Sequence, residues 1–512
     1  ISVDEDNDGL IANNGTITVD AGEDGFGISV DEDNDGLIAN SGTITVDAGE
    51  DGFGISVDED NDGLIANNGT ITVDAGEDAY GIAVWDDNDG NITSNEMHVT
   101  AYNDATGIYV NDDNYGSISS NTMTVTTNDD DADGIEIGWT NFGEIISTDM
   151  NITAYDDATG IYIGEDNVGS ISSDMMTVTS NDDDAFGIIV WGDNDGNITS
   201  NEMHVTAYDE ADGIFVGEDN IGLISSDTMT VTSNDDANGI HVGEDNFGLI
   251  SSDTMTVTSN DGYADGIEIG WANYGEITST DMNVTGYYDA IGISTDYNGE
   301  DASISNAGTM NIVSSDEDAY GIAVWGDNDG NITSNEMHVT AYDDADGIYV
   351  GDDNYGLIAN NGTINVNAGE DAHGIVVDDD NYGNITSNEM HVIANYDDAD
   401  GILVDDDNHG LISSNIMTVT AYDDADGIDL GDDNYGLISS DTMTVTSIDD
   451  DADGIEIVWG NYGEITSKDM NVTAYDDALG ISTVYNGEDA SISNTGTMNI
   501  VSNDGDAYVI TV

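Results

Sequence analysis

ISVDEDNDGLIANNGTITVDAGEDGFG, residues 1–27, is the stretch that decides the fold, because the chain repeats it nineteen times. Residues 28–54 copy it with one change, Ser41 replacing Asn14, and residues 55–81 change only Gly25 and Phe26, to Ala79 and Tyr80. Later copies drift but keep the frame, opening at Ile82, Ile108, Ile135 and so on to Ile481. Nearly all are 26 or 27 residues long. A fixed period of this size is the mark of stacked coils rather than of separate globular domains.

Within one copy, Ile1-Ser2-Val3, a run centred on Ile11, and Thr16-Ile17-Thr18-Val19 alternate apolar and polar residues between clusters of Asn, Asp and Gly. That period of two predicts half-buried strands, and no window carries apolar residues at helical spacing over three turns. The inward positions barely vary: the Ile11 position is always Ile, and the Val19 position is only Val or Ile. The residue two before each closing Gly is always Ala or Gly, as a narrow interior corner requires. Three strands per copy cannot bury an apolar face alone, so each must pair in register with its equivalent one copy on. The expected fold is all-β, a right-handed parallel β-helix with three faces. It is read as a single continuous domain over residues 1–512, about 90 Å long at a strand spacing of about 4.8 Å.

A longer period lies over the short one. Residues 240–320 closely match residues 428–508, a shift of 188 residues, which fits growth by duplication of multi-coil blocks. Neither end carries a capping helix or polar terminal coil. With strand edges open at both ends, head-to-tail association of identical chains into a homopolymer is expected. Residue 1 is not Met, which fits a processed chain or a window on a longer one.

The chain holds 109 acidic residues against one basic residue, Lys468, and has no Arg, Pro or Cys. Nucleic acid is not an expected partner, because phosphate contacts need cations to neutralise them. No run of 18 apolar residues is present, so no membrane span is expected. The apolar columns argue for order despite the charge, with the acids confined to turns.

Those turns are the candidate metal sites. Asp4, Asp6 and Asp8 precede Gly9, and the pattern recurs at Asp31, Asp33, Asp35 and at Asp58, Asp60, Asp62. Acids at positions 1, 3 and 5 with Gly at 6 form the front half of a calcium loop, although the Glu expected at position 12 is replaced by Gly15. The residue before the Ala/Gly corner is acidic in 18 of 19 copies, so a second turn carries its own acid column. Carboxylates about 4.8 Å apart repel by roughly 1 kcal/mol per step even in water. Ca2+ between coils is the expected counterweight; screening by salt is the alternative.

Other columns have structural readings. The Asn in the first turn of every copy suits an αL residue bonding up and down a ladder. Met97, Met123, Met150 and their equivalents exchange with Ile17 and Ile44, which says core packing. His98, His204, His338 and His391 share one outward position, but the closest pair lies two coils apart, too far to share zinc. Paired outward Thr survives in only 7 of 19 copies, which weakens an ice-binding face. Asn-x-Thr sequons at Asn14, Asn68, Asn91, Asn151, Asn197, Asn283, Asn331, Asn361, Asn384 and Asn471 would carry N-glycans outward. Carboxylate pairs are everywhere and no insertion builds a cleft, so no enzyme is expected.

At Gly42-Thr43-Ile44-Thr45-Val46, Gly54-Ile55-Ser56-Val57 and Gly63-Leu64-Ile65-Ala66-Asn67-Asn68-Gly69-Thr70, the chain resembles haemagglutinin- and autotransporter-type repeat passengers. The resemblance implies a right-handed β-helix displayed on bacterial surfaces as an adhesin. The expected role is therefore extracellular and structural: a cell-surface filament, sheath or adhesin stalk stiffened by divalent cations. The alternative is an ice- or glycan-binding adhesin surface built from the outward Thr and Tyr faces.

Overall fold

The structure is a computed structural model describing residues 1–512. It is all-β, without helix, its parallel sheets stacked as a β-solenoid of about 19 turns. Two compact units, Ile1–Ser252 and Asp253–Val512, make it up.

In the first unit most coils contribute one short and one long strand. Short strands such as Ala105–Val110, Ala132–Ile137 and Ala158–Ile163 form one parallel sheet in register, with Ile108 beside Ile135 and Ile135 beside Ile161. Long strands such as Asn91–Ala101 and Ser117–Thr127 form the other, with Met97 beside Met123 and Val99 beside Val125. The second unit repeats the plan with short strands such as Ala345–Val350 and Ala372–Val377, and long strands such as Leu411–Ala421 and Leu437–Ser447.

The expected second and third strands are therefore one strand in most coils. The first two coils keep them apart, as Leu10–Asn13 and Thr16–Ala21, then Leu37–Asn40 and Thr43–Ala48, and so does the last, as Ser491–Asn494 and Met498–Ser502. The third face survives as a bend. In Asn91–Ala101 the inward residues are Ile92, Ser94, Met97 and Val99, so Asn95 and Glu96 both face out and the alternation slips by one. The same bend absorbs a length difference between copies, because the register beside Leu64–Ala75 shifts between Ser94 and Glu96. Backbone pairing continues through the bend, which is why an apparent turn reads as strand.

The core is made of columns. Ile92, Met97, Val99, Ile108 and Val110 are at most 1% exposed. The Met column packs against the glycine that precedes each opening Ile. A Cβ on Gly187 would sit 2.5 Å from Met203 Sδ, so the bulky column needs this glycine for space.

The first-turn Asn ladder is present, but not in the expected conformation. Asn88, Asn114, Asn141, Asn167, Asn194 and Asn220 are fully buried, each amide donating to the next at 2.7–2.8 Å. The second unit has its own ladder from Asn328 through Asn354, Asn381 and Asn408 to Asn434. No residue of the chain has positive φ. Each Asn instead forms a one-residue parallel bridge with its neighbours, so it sits in extended backbone and αL is not needed.

Candidate cation sites

Beside the Asn ladder runs a column of carboxylates, and it is built differently. Asp33 Oδ1 accepts the backbone N–H of Asp60, Asp60 that of Asp87, and Asp87 that of Asp113, at 3.0–3.2 Å. In the second unit Asp327, Asp353 and Asp380 do the same for Asp353, Asp380 and Asp407. The second turn repeats the device, Asp131 serving Asp157 and Asp157 serving Asp184. The acid is thus a structural acceptor from coil to coil. Its other oxygen has no such role.

Carboxylates also gather around this column. Asp60 with Asp86 and Asp87, Asp104 with Asp130 and Asp131, Asp157 with Asp183 and Asp184, and Asp424 with Asp450 and Asp451 each bring three candidate ligand atoms within 4.8 Å. One rule describes all four: an acid ending a turn meets the acidic pair of the next coil. Asp380, Asp407 and His409 form a fifth group. Burial, then the neighbouring charges, push Asp104 above the usual carboxylate range. Burial is also the main cause that raises Asp131, to about 6. These are places that hold a proton or a cation more readily than an isolated Asp.

The nine acids expected as ligands stand in three columns along the opening coils. Asp4, Asp31 and Asp58 are exposed, and each accepts a hydroxyl two residues back, at 3.0 Å for Ser29 to Asp31 and 3.2 Å for Ser56 to Asp58. Asp6, Asp33 and Asp60 lie in the acceptor column, where Asp33 and Asp60 serve N–H groups of the next coil. Asp8, Asp35 and Asp62 follow the buried Asn, and Asp35 is raised by burial and by the charges of Asp62 and Asp8. Only Asp60 joins one of the named groups, and it does so with Asp86 and Asp87 instead of Asp58 and Asp62. The structure therefore assembles acids across coils, not along a loop.

In later coils the Asp8 position turns aromatic. Tyr355, Tyr382, His409, Tyr435 and Tyr462 stack at 4.8–5.2 Å within 10° of parallel, their edges outward. The Tyr382 hydroxyl donates to Asp380 at 2.6 Å, and that bond, with burial, pushes it up to about 12.

A further set of acids was not expected, because it lies on strands and not in turns. In Ala-x-Gly-Ile-x-Val the two x positions point outward from the short sheet, and acids occupy them at Asp133 and Glu136 and at Asp426, Asp429, Asp453 and Glu456. The last four form a two-by-two array, Asp426 beside Asp453 and Asp429 beside Glu456. Asp453 is 7% exposed, and its Oδ1 and that of Asp429 have no hydrogen-bond partner. Burial first, then Glu456, raises Asp429 to about 7 and Asp453 to about 8. The signal was legible as Ala-Asp-Gly-Ile-Glu-Ile at 132–137, 264–269 and 452–457. These strand acids depart from the expectation that the acids are confined to turns.

One acid pair of this face has its own cation. His373 Nδ1 lies 2.8 Å from Asp346 Oδ1, and Nε2 lies 3.7 Å from Asp400 Oδ2. Burial lowers His373, but the bond and charge of Asp346, with Asp400, outweigh it and raise the ring to about 9. Elsewhere the face is covered by aromatic clusters. Trp85 packs at 5.7 Å from Tyr80 and 5.1 Å from Tyr109, Trp191 at 5.3 Å from Phe215, and Trp325 at 5.2 Å from Tyr320.

The remaining columns stand where the sequence put them or nearby. The Met column is buried. His98, His204, His338 and His391 each meet the Glu two residues earlier at 3.1–3.3 Å, not one another. All ten sequon Asn residues are exposed. Comparison with protein-family models, curated proteins and solved structures gives no match to this chain.

Proposed function

We propose that the chain is a structural solenoid of the cell surface, a filament, sheath or adhesin stalk whose acid columns are neutralised by Ca2+ and whose copies associate head to tail. The observation that carries this reading is the set of carboxylate trios formed by adjacent coils, such as Asp104, Asp130 and Asp131. A chain with a formal charge of −108 has one Lys to set against them. Hard oxygen ligands in flexible number suit Ca2+ better than a transition metal. The unpartnered oxygens of Asp429 and Asp453 add to the demand for cations from outside.

Support for an extracellular setting comes from the likeness of Gly63 to Thr70 to surface-passenger repeats and from ten outward sequons. Both favour secretion over a cytosolic role, and a millimolar Ca2+ medium would fill sites that need several weak ligands. Catalysis has no part in this reading.

Light scattering and electron microscopy of the purified chain, in millimolar Ca2+ and in chelator, test the proposal. Assemblies that lengthen with chain concentration in Ca2+ and dissolve in chelator are expected. A species of one chain's mass under both conditions overturns the head-to-tail reading.

A further inference from the structure

One cavity of the first unit is built for a cation that the chain does not supply. Its floor is a grid of outward side chains from three successive short strands, Ala132–Ile137, Ala158–Ile163 and Ala185–Val190. Along one column Asp133 is followed by Thr159 and Phe186, and along the other Glu136 is followed by Tyr162 and Ile189. Trp191, directly after the third strand, stands at the aromatic end, steadied by the edge of Phe215 at 5.3 Å. The cavity holds about 180 Å3 and opens on one side; Asp131 and Asp157 join Asp133 and Glu136 as its carboxyl lining, and Tyr162, Phe186 and Trp191 supply three aromatic rings.

Size and chemistry narrow the ligand. Pockets for drug-sized molecules run from about 300 Å3 upward, so this one suits a small group. Aromatic rings offer a metal ion no ligand atoms, whereas their faces attract organic cations, the more strongly as water is excluded. A carboxylate pair beside them supplies acceptors for ammonium N–H groups. The second unit shows that the same column takes a cation one coil beyond an acid, because His373 occupies that place beyond Asp346. Beyond Asp133 the equivalent residue is Thr159, which is neutral.

We propose that this cavity binds a small alkylammonium cation, its N–H groups donating to Asp133 and Glu136 and its carbon face resting on Tyr162, Phe186 and Trp191. The ligand class covers a free amine and the terminal ammonium of an amino sugar or lysine side chain. Asp131 and Asp157 border both this cavity and the turn trios proposed to hold Ca2+, so the amine is titrated in chelator, where the trios are empty.

Calorimetric titration of the full chain with methylammonium chloride, against NaCl at equal ionic strength, is the experiment. One saturable site per chain is expected, weakened about tenfold by Glu136→Gln and by Trp191→Leu. Glu456→Gln, on the acid array of the other unit, should leave it unchanged. Circular dichroism checks each variant, and the near-isosteric Glu136→Gln carries the test alone should Trp191→Leu lose its fold. Heats indistinguishable from NaCl, or binding that survives Glu136→Gln, would overturn the proposal.

Discussion

The buried Asn ladder and the Asp column beside it repeat at the same spacing, yet one is self-sufficient and the other is not. An Asn side chain carries both donor and acceptor, so Asn114 can accept from Asn88 and donate to Asn141 without outside help. An ionised Asp only accepts. Asp87 accepts the N–H of Asp113 through Oδ1, has nothing to donate, and lies among the carboxylates of Asp60 and Asp86. Stacking multiplies whatever one coil does, so a group with both functions becomes a ladder and an acceptor-only group becomes a debt of charge. Serine is the instructive intermediate. Asn13, Asn40 and Asn67 bond at 2.8 Å along the inner corner, but from Ser94 onward that corner is serine except at Asn306, Asn360 and Asn494, and the hydroxyls of Ser120, Ser147 and Ser173 have no partner. A hydroxyl has donor and acceptor but is too short to span the coil spacing.

Protonation is the broadest way to break the contrast, because it gives carboxyls the donor they lack. Asp131 is raised to about 6, Glu136, Asp400 and Asp429 to about 7, and Asp453 to about 8. An acid with a raised folded value binds more protons folded than unfolded. Its contribution is complete below the unfolded value near 4 and lost as pH rises through 6 to 8. His373, raised to about 9, contributes below its unfolded value and loses that as pH passes 9, in the same direction. In chelator the melting temperature should therefore fall by about 10 °C or more between pH 5 and pH 8. Scanning calorimetry at several pH values checks this; a melting temperature that rises with pH contradicts it.

Turning one rung of the good ladder into an acceptor-only group is the sharper local test. Asn141→Asp removes the donation to Asn167 and buries a charge at a fully enclosed position. A loss of about 3–5 kcal/mol is expected in denaturant unfolding. The reverse exchange should help. Asp157→Asn keeps the acceptor for the Asp184 N–H and removes one charge from the trio with Asp183 and Asp184. It should stabilise by about 1 kcal/mol in chelator, and the gain should shrink or reverse in Ca2+ because a ligand is gone. The smallest effect is expected at Ser147→Ala, within about 1 kcal/mol of the parent and on the stabilising side, since a buried hydroxyl without a partner is removed.

Most of the fold was legible because a solenoid writes its core in columns. The invariance of Ile11 and its equivalents gave the coils, and the exchange of Met97 with Ile71 and Ile44 gave the packing. The joining of two strands was not legible, because Asn95 and Glu96 look like a turn while their backbone keeps pairing. The αL expectation for Asn failed for a related reason: a residue favoured in turns is equally suited to a ladder once neighbours repeat. For the candidate sites, reading along a loop selected Asp4, Asp6 and Asp8, whereas Asp60, Asp86 and Asp87 meet across coils. Asp133, Glu136 and Asp453 break the expectation that acids keep to turns, because an outward strand position need not be exposed. Aromatic residues such as Trp191 partly cover that face, and nothing in the period of two encodes their reach.

Thermal unfolding near neutral pH, begun in chelator and repeated with CaCl2 or with NaCl at equal ionic strength, tests the cation account most directly. Metal bound only by the folded coils stabilises them by mass action, so millimolar Ca2+ should raise the melting temperature by about 10 °C or more beyond NaCl. Equal shifts from the two salts would contradict the account, since screening alone would then keep the acid columns together.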